Sequence, residues 1–249
     1  MNLLAVDTAQ PACSAALHME TPEGVKTFCR FEPMTRGQAE ALPMMVQEVL
    51  DLAGIKPNEL DALACTVGPG TFTGVRVGIA LARGMAVVLN KPVLGVTSLE
   101  ALAHPIKPPH NELIAASFDA RREEIYFQLF DHHQTPQTDP MIVRHEEAAA
   151  LIPAQPVILV GTGSALLAPH LGTGSQQVQQ LAQSHIAQGH AAELDLAAFA
   201  YPQADQVAAI ARARFVKMTV ADRANLIAPS PLYIRAPDAK LPKNGGQLS

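Results

Sequence analysis

Val67-Gly68-Pro69-Gly70-Thr71-Phe72-Thr73-Gly74-Val75-Arg76 is the stretch that decides how this chain folds. The residues before it, Asp61 to Val67, form a short apolar run that reads as a strand. Those after it, Gly74 to Leu89, read as a long helix with almost no charge. The stretch is therefore a strand–turn–helix junction. Gly68 and Gly70 permit backbone angles or close approaches that a side chain blocks, and Pro69 fixes its own φ. A hydroxyl of Thr71 or Thr73 can cap the helix. Two readings stay open here. One is a tight turn that packs a helix on a sheet; the other is a set of free amides that suits an anion such as a phosphate.

At the helical repeat, Gly74, Gly78, Leu81, Met85 and Leu89 share one face, whose small residues allow close packing on a sheet. Arg76, Ile79, Ala80, Arg83 and Val87 are expected opposite, with the two arginines in one stripe. A surface helix normally carries more polar residues than this. The outer side is therefore buried within the chain or meets another protein.

Upstream, Asn2 to Val6, Cys13 to Met19 and Val25 to Phe31 read as three strands separated by Gln10-Pro11 and Thr21-Pro22-Glu23-Gly24. Asp7 ends the first strand, where an open sheet presents ligand groups; it reads as a turn cap or as a metal or water ligand. A helix follows over Gln38 to Ala53, closed by Gly54, with Leu42, Met45, Val46, Val49, Leu52 and Ala53 as its apolar stripe. Glu40, Met44, Gln47, Glu48 and Asp51 lie off that stripe, as a solvated face or as a complement to Arg76 and Arg83. Pro43 fits only if the helix starts just before it or kinks there.

Downstream, Lys91 to Val96 is a short strand, and Thr97 or Ser98 caps a helix through Ala103 with Glu100 in its first turn. His104-Pro105-Ile106-Lys107-Pro108-Pro109 then interrupts the pattern, which sets an N-terminal lobe at residues 1–104 and a C-terminal lobe at 105–249. The second half repeats the grammar of the first. Strands are expected at Glu112 to Phe118, Glu124 to Phe130, Met141 to Val143 and Pro156 to Val160, with a helix from His145 to Leu151. Asp119 follows the first of these strands as Asp7 follows its counterpart, and Gly161-Thr162-Gly163-Ser164 is a second glycine-rich junction. A late helix runs from about Gln203 to Lys217, with Arg212, Arg214 and Lys217 as a solvated face. Pro229 to Arg235 reads as an extended return to the body, and the last dozen residues as a loose tail.

With 249 residues, 48% of them hydrophobic, the chain can bury substantial cores, and a formal charge of −5 argues against nucleic-acid binding by the chain alone. Cys13, Cys29 and Cys65 lack C-x-x-C spacing, so a reduced, cytoplasmic compartment fits better than a disulfide scaffold. The reading expects no signal peptide, no membrane-length apolar run and no membrane contact.

Leu4-Ala5-Val6-Asp7-Thr8-Ala9, Gly68 to Arg76, Val96 to Leu102, Asp119-Ala120-Arg121-Arg122 and Pro231-Leu232-Tyr233-Ile234-Arg235, in this order and spacing, resemble the TsaB (YeaZ) family. That family is a subunit of the bacterial machinery that makes threonylcarbamoyladenosine in tRNA. The resemblance implies an α/β, actin-like (ASKHA) ATPase fold of two ribonuclease-H-like lobes. It also implies a non-catalytic subunit that scaffolds the catalytic paralogue TsaD, works with the ATPase subunit TsaE, meets tRNA only through the complex, and forms a homodimer when alone. The implied partner interface is Glu40, Met44, Glu48, Asp51, Arg76, Ile79, Ala80, Arg83 and Val87. A vestigial nucleotide cleft would comprise Asp7, Thr8, Gly68, Gly70, Asp119, Arg121, Gly161 and Gly163. The catalytic relative holds a metal with an H-x-x-x-H pair; the matching stretch here is Ser98-Leu99-Glu100-Ala101-Leu102, so neither a metal nor another cofactor is expected. Gln38 stands where many members have His, and Glu123 where many have Gly. An active ATP-dependent kinase or ATPase of the same fold is the alternative, and a metallo-glycopeptidase a third reading without paired histidines to support it.

Overall fold

A computed structural model of the chain describes residues 1–108, 110–171, 175–177 and 200–235. The tail expected over the last dozen residues lies outside the described residues. The chain opens with an antiparallel meander of β1 (Asn2–Asp7), β2 (Ala12–Thr21) and β3 (Gly24–Pro33), then helix α1 (Gln38–Ala53). β4 (Ala62–Thr66), α2 (Phe72–Leu89), β5 (Val93–Val96) and α3 (Ser98–Ala103) follow. The second series is β6 (Leu113–Arg121), β7 (Glu124–Phe130), β8 (Met141–Arg144), α4 (His145–Leu151), β9 (Val157–Val160), α5 (Ser164–Leu167) and β10 (Ser175–Gln177). Two helices come last among the described residues, α6 (Ala204–Lys217) and α7 (Val220–Ala224).

The strand order is β3-β2-β1-β4-β5 in one sheet and β8-β7-β6-β9-β10 in the other. In each, the first strand pairs antiparallel with its hairpin partner and parallel with the strand that follows the first helix of its series. The same order twice is the actin-like (ASKHA) ATPase fold that the resemblance implies.

Helices α1 and α2 cover one face of the first sheet. Leu42, Met45, Val46 and Val49 share a core with Leu4, Val6, Leu63, Val75 and Ile79. The other face carries Leu3, Ala5, Ala62, Ala64 and Leu94, and it is covered by α6 through Val207, Ala208, Ala211 and Phe215. Helix α6 thus comes late in the sequence but completes the first sheet.

Four expectations about these helices need correcting. The face of α2 turned to the sheet is Gly74, Val75, Gly78, Ile79 and Ala82. Ile79 is therefore core, not part of the outward stripe, while Leu81, Met85 and Leu89 are half-buried at the margin. On α1, Leu50 is buried and Leu52 is half exposed, the reverse of the expected stripe. Pro43 sits inside α1, whose first residue is Gln38, so the helix accepts the loss of one backbone donor on its exposed side. The basic residues of α6 are not simply solvated: Arg214 pairs with Glu100 and donates to the carbonyl of Gly95, and Arg212 lies 3.3 Å from Glu20.

A fifth correction concerns hydropathy. Phe72–Leu89 is long and apolar enough to cross a membrane, at 18 residues and mean hydropathy 1.6. In this fold one side of it packs on the sheet, and the apolar excess lies on the other, where Val87 and Val88 are more than four-fifths exposed.

Candidate functional site

The glycine-rich turn is shaped by the end of β1. Thr71 caps α2 by accepting from the backbone N–H of Gly74 at 3.1 Å, so of the two candidate hydroxyls it is Thr71 that serves. The N–H of Thr71 itself donates to the carbonyl of Ala9 at 2.8 Å. A β-carbon on Gly70 would overlap the Ala9 carbonyl, and one on Gly74 would overlap that of Thr8. The Thr8 hydroxyl donates to the Gly74 carbonyl at 2.7 Å. The turn therefore packs directly against the β1–β2 connection, at the Thr8 and Ala9 carbonyls. Gly68, at φ +101°, occupies a conformation that favours glycine.

Asp7 is buried beneath this turn. Its Oδ1 accepts from the Thr66 hydroxyl at 2.5 Å and from the Ala9 N–H at 3.2 Å, the second being the local cap expected of an Asp after a strand. Its Oδ2 has no hydrogen-bond partner among the described residues. Removal from water pushes its carboxyl up to about 7, against the lowering effect of the Thr66 and Ala9 hydrogen bonds. Burial, with the Asp7 carboxylate adding to it, pushes the neighbouring Cys13 and Cys65 thiols up to about 12, so both are inert as nucleophiles.

The second junction closes in the same way. The Gly163 N–H donates to the Ser117 carbonyl at 3.1 Å, and a β-carbon on Gly161 would overlap that carbonyl. Asp119 accepts from the Arg121 N–H at 2.7 Å, and its own N–H donates to the Thr162 hydroxyl at 3.1 Å. Arg121, Arg122 and Glu123 all have positive φ, between 58° and 65°, in the tight β6–β7 hairpin. Glycine adopts such angles without strain, so Glu123 carries a conformational cost that a Gly there would lack.

The stretch matching the catalytic relative's metal pair is Ser98 to Leu102. Both end residues are buried, and a β-carbon on Gly161 would lie 2.5 Å from Leu102 Cδ2. Among the described residues no group of three or more His, Cys, Asp or Glu could hold a metal ion.

The residues expected at a partner interface divide. Glu40, Met44, Glu48 and Asp51 of α1 and Ala80, Arg83 and Val87 of α2 are exposed on neighbouring helices over one face of the sheet; Ile79 is not. Glu48 already pairs with Arg30 of β3 at 2.8 Å, and Asp51 accepts from Gln47 at 2.8 Å. Arg76 turns away from this side: its guanidinium stacks 3.1 Å from the centre of the Phe72 ring and 5.1 Å from that of Tyr233.

Sequence reasoning missed the surroundings of Tyr233. The Leu232 N–H donates to the Val67 carbonyl at 2.7 Å, Tyr233 faces Phe72, and Arg235 pairs with Glu124 of β7. The extended Pro229 to Arg235 segment was the only signal, and nothing in it names what it lies against.

The family description "TsaD: tRNA N6-adenosine threonylcarbamoyltransferase" matches residues 32–243. Over 128 residues the chain is 40% identical to the tRNA threonylcarbamoyladenosine biosynthesis protein TsaB of Haemophilus influenzae, covering 51% of this chain and 52% of that protein. It is 36% identical over 135 residues to the protein of the same name from Escherichia coli, covering 54% and 57%. The chain thus spans about half the length of the curated relatives it matches. A crystal structure of an uncharacterized Pseudomonas aeruginosa protein with similarity to peptidase YeaZ superposes with a TM-score of 0.72 at 26% identity, covering 94% of this chain and 99% of that one. The YeaZ structure from Pseudomonas aeruginosa gives 0.70 at 26% identity, covering 93% and 99%. By the family match and these likenesses, the chain belongs to the family described as TsaD: tRNA N6-adenosine threonylcarbamoyltransferase, and within it to the TsaB (YeaZ) group.

Proposed function

We propose that this protein is a non-catalytic subunit in the formation of threonylcarbamoyladenosine in tRNA, and that it acts by docking the catalytic paralogue TsaD. The observation that carries the reading is the outer side of α2, where Val87 and Val88 stand 82% and 83% exposed beside Ala80 and Arg83. Exposed valines on consecutive positions of an apolar helix favour a partner over solvent. Met44, 67% exposed on α1, extends the apolar character to the neighbouring helix. Apolar contacts would supply most of the affinity, with Glu40 and Arg83 setting register. A second copy would use the same side when TsaD is absent, giving a homodimer, and TsaE would join the assembled pair.

The absence of chemistry in this subunit is supported by three features. Ser98 and Leu102 are buried, and neither can replace an imidazole ligand. Gly70 and Gly74 of the first junction pack directly against the Ala9 and Thr8 carbonyls. Asp7, the acid best placed for metal or water chemistry, has no exposure to solvent. The test is reconstitution on unmodified tRNA. The chain alone should yield no threonylcarbamoyladenosine, and its addition to TsaD and TsaE should raise the yield. Product made by the chain alone, or ATP turnover at an enzyme's rate, overturns the reading in favour of an active ATPase of this fold.

A further inference from the structure

Strand β3 is one edge of the first sheet and pairs only with β2 among the described residues. It is ten residues long, and apart from Phe28 and Phe31 every one of them is exposed. Its register fixes which way the backbone points. The Met34 N–H donates to the Pro11 carbonyl at 3.1 Å, one step beyond the Ala12–Pro33 pair. Antiparallel ladders alternate, so Lys26, Phe28, Arg30 and Glu32 turn their N–H and C=O groups to β2, and Val25, Thr27, Cys29 and Phe31 turn theirs outward. Pro33, with no N–H to give, falls in the outward set. The Cys29 carbonyl accepts from the Arg30 guanidinium at 3.1 Å and keeps a second lone pair for another donor. Side chains alternate as well. Phe28 packs on the core beneath α1 and Arg30 reaches Glu48 of α1, so Lys26 and Glu32 share that face. Neither Lys26 nor Glu32 has an ion pair among the described residues.

A long exposed edge is a template for another strand, and charge is a common block to it. On β3 the charges are of both signs, and Lys26 and Glu32 stand at equal distances either side of Cys29. We propose that β3 pairs antiparallel with β3 of a second copy of this chain, with Cys29 at the two-fold axis, which joins the two five-stranded sheets into one. This register uses the strand from Val25 to Pro33. Lys26 stands opposite the second copy's Glu32, Glu32 opposite its Lys26, and Phe28 opposite its Arg30. Opposite charges directly across two strands stabilise the pair, and like charges destabilise it. The next registers that keep the outward groups facing one another set Lys26 against Arg30 in one direction and Arg30 against Arg30 in the other. Charge therefore selects the register centred on Cys29. The two-fold axis runs perpendicular to the sheet, so both α1 helices lie on the same face. Leu52, 51% exposed and one turn from Glu48 on the side of α1 nearest β3, adds apolar surface beside the seam. Helix α2 lies over β1 and β4, away from this edge, so a chain paired through β3 keeps Val87 and Val88 free.

The experiment is analytical ultracentrifugation of the Val87→Asp chain, in which pairing through α2 is weakened and this contact is not. That chain should still form a dimer at micromolar concentration. Adding Lys26→Glu or Glu32→Lys should each raise the dissociation constant by about 10-fold or more, because each change turns two cross-strand attractions into repulsions. Mixed in equal amounts, the two charge variants should pair with each other, since every contact between positions 26 and 32 again joins opposite charges. Thr27→Pro removes an outward N–H without touching the ladder to β2 and should abolish the dimer. Circular dichroism should be unaltered in all of them, as these three positions are exposed. A Val87→Asp chain that stays monomeric overturns the proposal. So does a dimer that Lys26→Glu, Glu32→Lys and Thr27→Pro leave intact in folded protein. Failure of the docking reading shows separately, as binding of TsaD that Val87→Asp does not weaken.

Discussion

Asp7→Asn should flatten the dependence of stability on pH. Asp7 is fully buried, with one carboxyl oxygen lacking a partner among the described residues, and removal from water pushes its pKa up from 3.8 to about 7. In the unfolded chain the same group ionises near its ordinary value. Below about pH 4 it is protonated in both states and its contribution is fully present. From there to about pH 7 the unfolded state releases a proton that the folded state keeps, so unfolding becomes progressively easier as pH rises. Above that both states are ionised and the loss is complete. The difference between 3.8 and about 7, at about 1.4 kcal/mol per tenfold, is about 4 kcal/mol, of which about 3 falls between about pH 5 and about pH 8. Asn keeps the acceptor used by Thr66 and Ala9 and cannot ionise. Its buried amide donor shifts the level of stability by about 1–3 kcal/mol, but equally at every pH. His18, which burial holds below its usual pKa, loses stability as pH falls, and it does so identically in both proteins. Urea unfolding of wild type and variant across that range gives the comparison. Wild type should lose about 3 kcal/mol relative to the variant as pH rises; two parallel curves would refute a buried, neutral Asp7.

Val87→Asp should weaken pairing with TsaD or with a second copy by a few kcal/mol, while circular dichroism shows an intact monomer, because Val87 is 82% exposed. Ile79→Ala, about two helical turns away but in the core, should instead cost about 2–5 kcal/mol in thermal or urea unfolding; equal effects of the two on folding would mean α2 is rotated from the orientation described. Gly74→Ala drives a β-carbon into the Thr8 carbonyl and should prevent stable folding or cost several kcal/mol, whereas Gly84→Ala meets nothing within 4 Å and should stabilise by about 0.5–1 kcal/mol. Glu123→Gly, at φ 63°, should raise stability by up to about 1 kcal/mol, and a lower melting temperature would show that its side chain matters more than its backbone.

The duplicated strand–helix order was legible because alternation and turn residues are local, and both glycine junctions could be placed to the residue. The boundaries of α1 follow from Gly37 and Gly54, which adopt the left-handed conformation at its two ends. What local pattern could not give was the rotation of α2. Nearly every position of that helix is apolar, so periodicity did not distinguish Ile79, which faces β4, from Val87, which faces outward. Pairings distant in sequence were equally hidden. Glu48 is held by Arg30, Arg214 by Glu100 and Arg235 by Glu124, and no spacing rule links those residues. The close approach of the Gly68 to Thr71 turn to the carbonyl of Ala9 was hidden in the same way, 59 or more residues away in the chain.

The late arrival of α6 also bears on synthesis. The N–H of Ala204 donates to the Ser14 hydroxyl, a partner 190 residues earlier. Until that helix leaves the ribosome, Leu3, Ala5, Ala62, Ala64 and Leu94 face water on the bare side of a sheet whose five strands are already made. Domains ordinarily fold as they emerge, N-terminal first, and exposed sheet faces aggregate. Here the first-made half must wait for the last, so a nascent chain stopped after β10 should bind holding chaperones, and release from them should coincide with the appearance of α6.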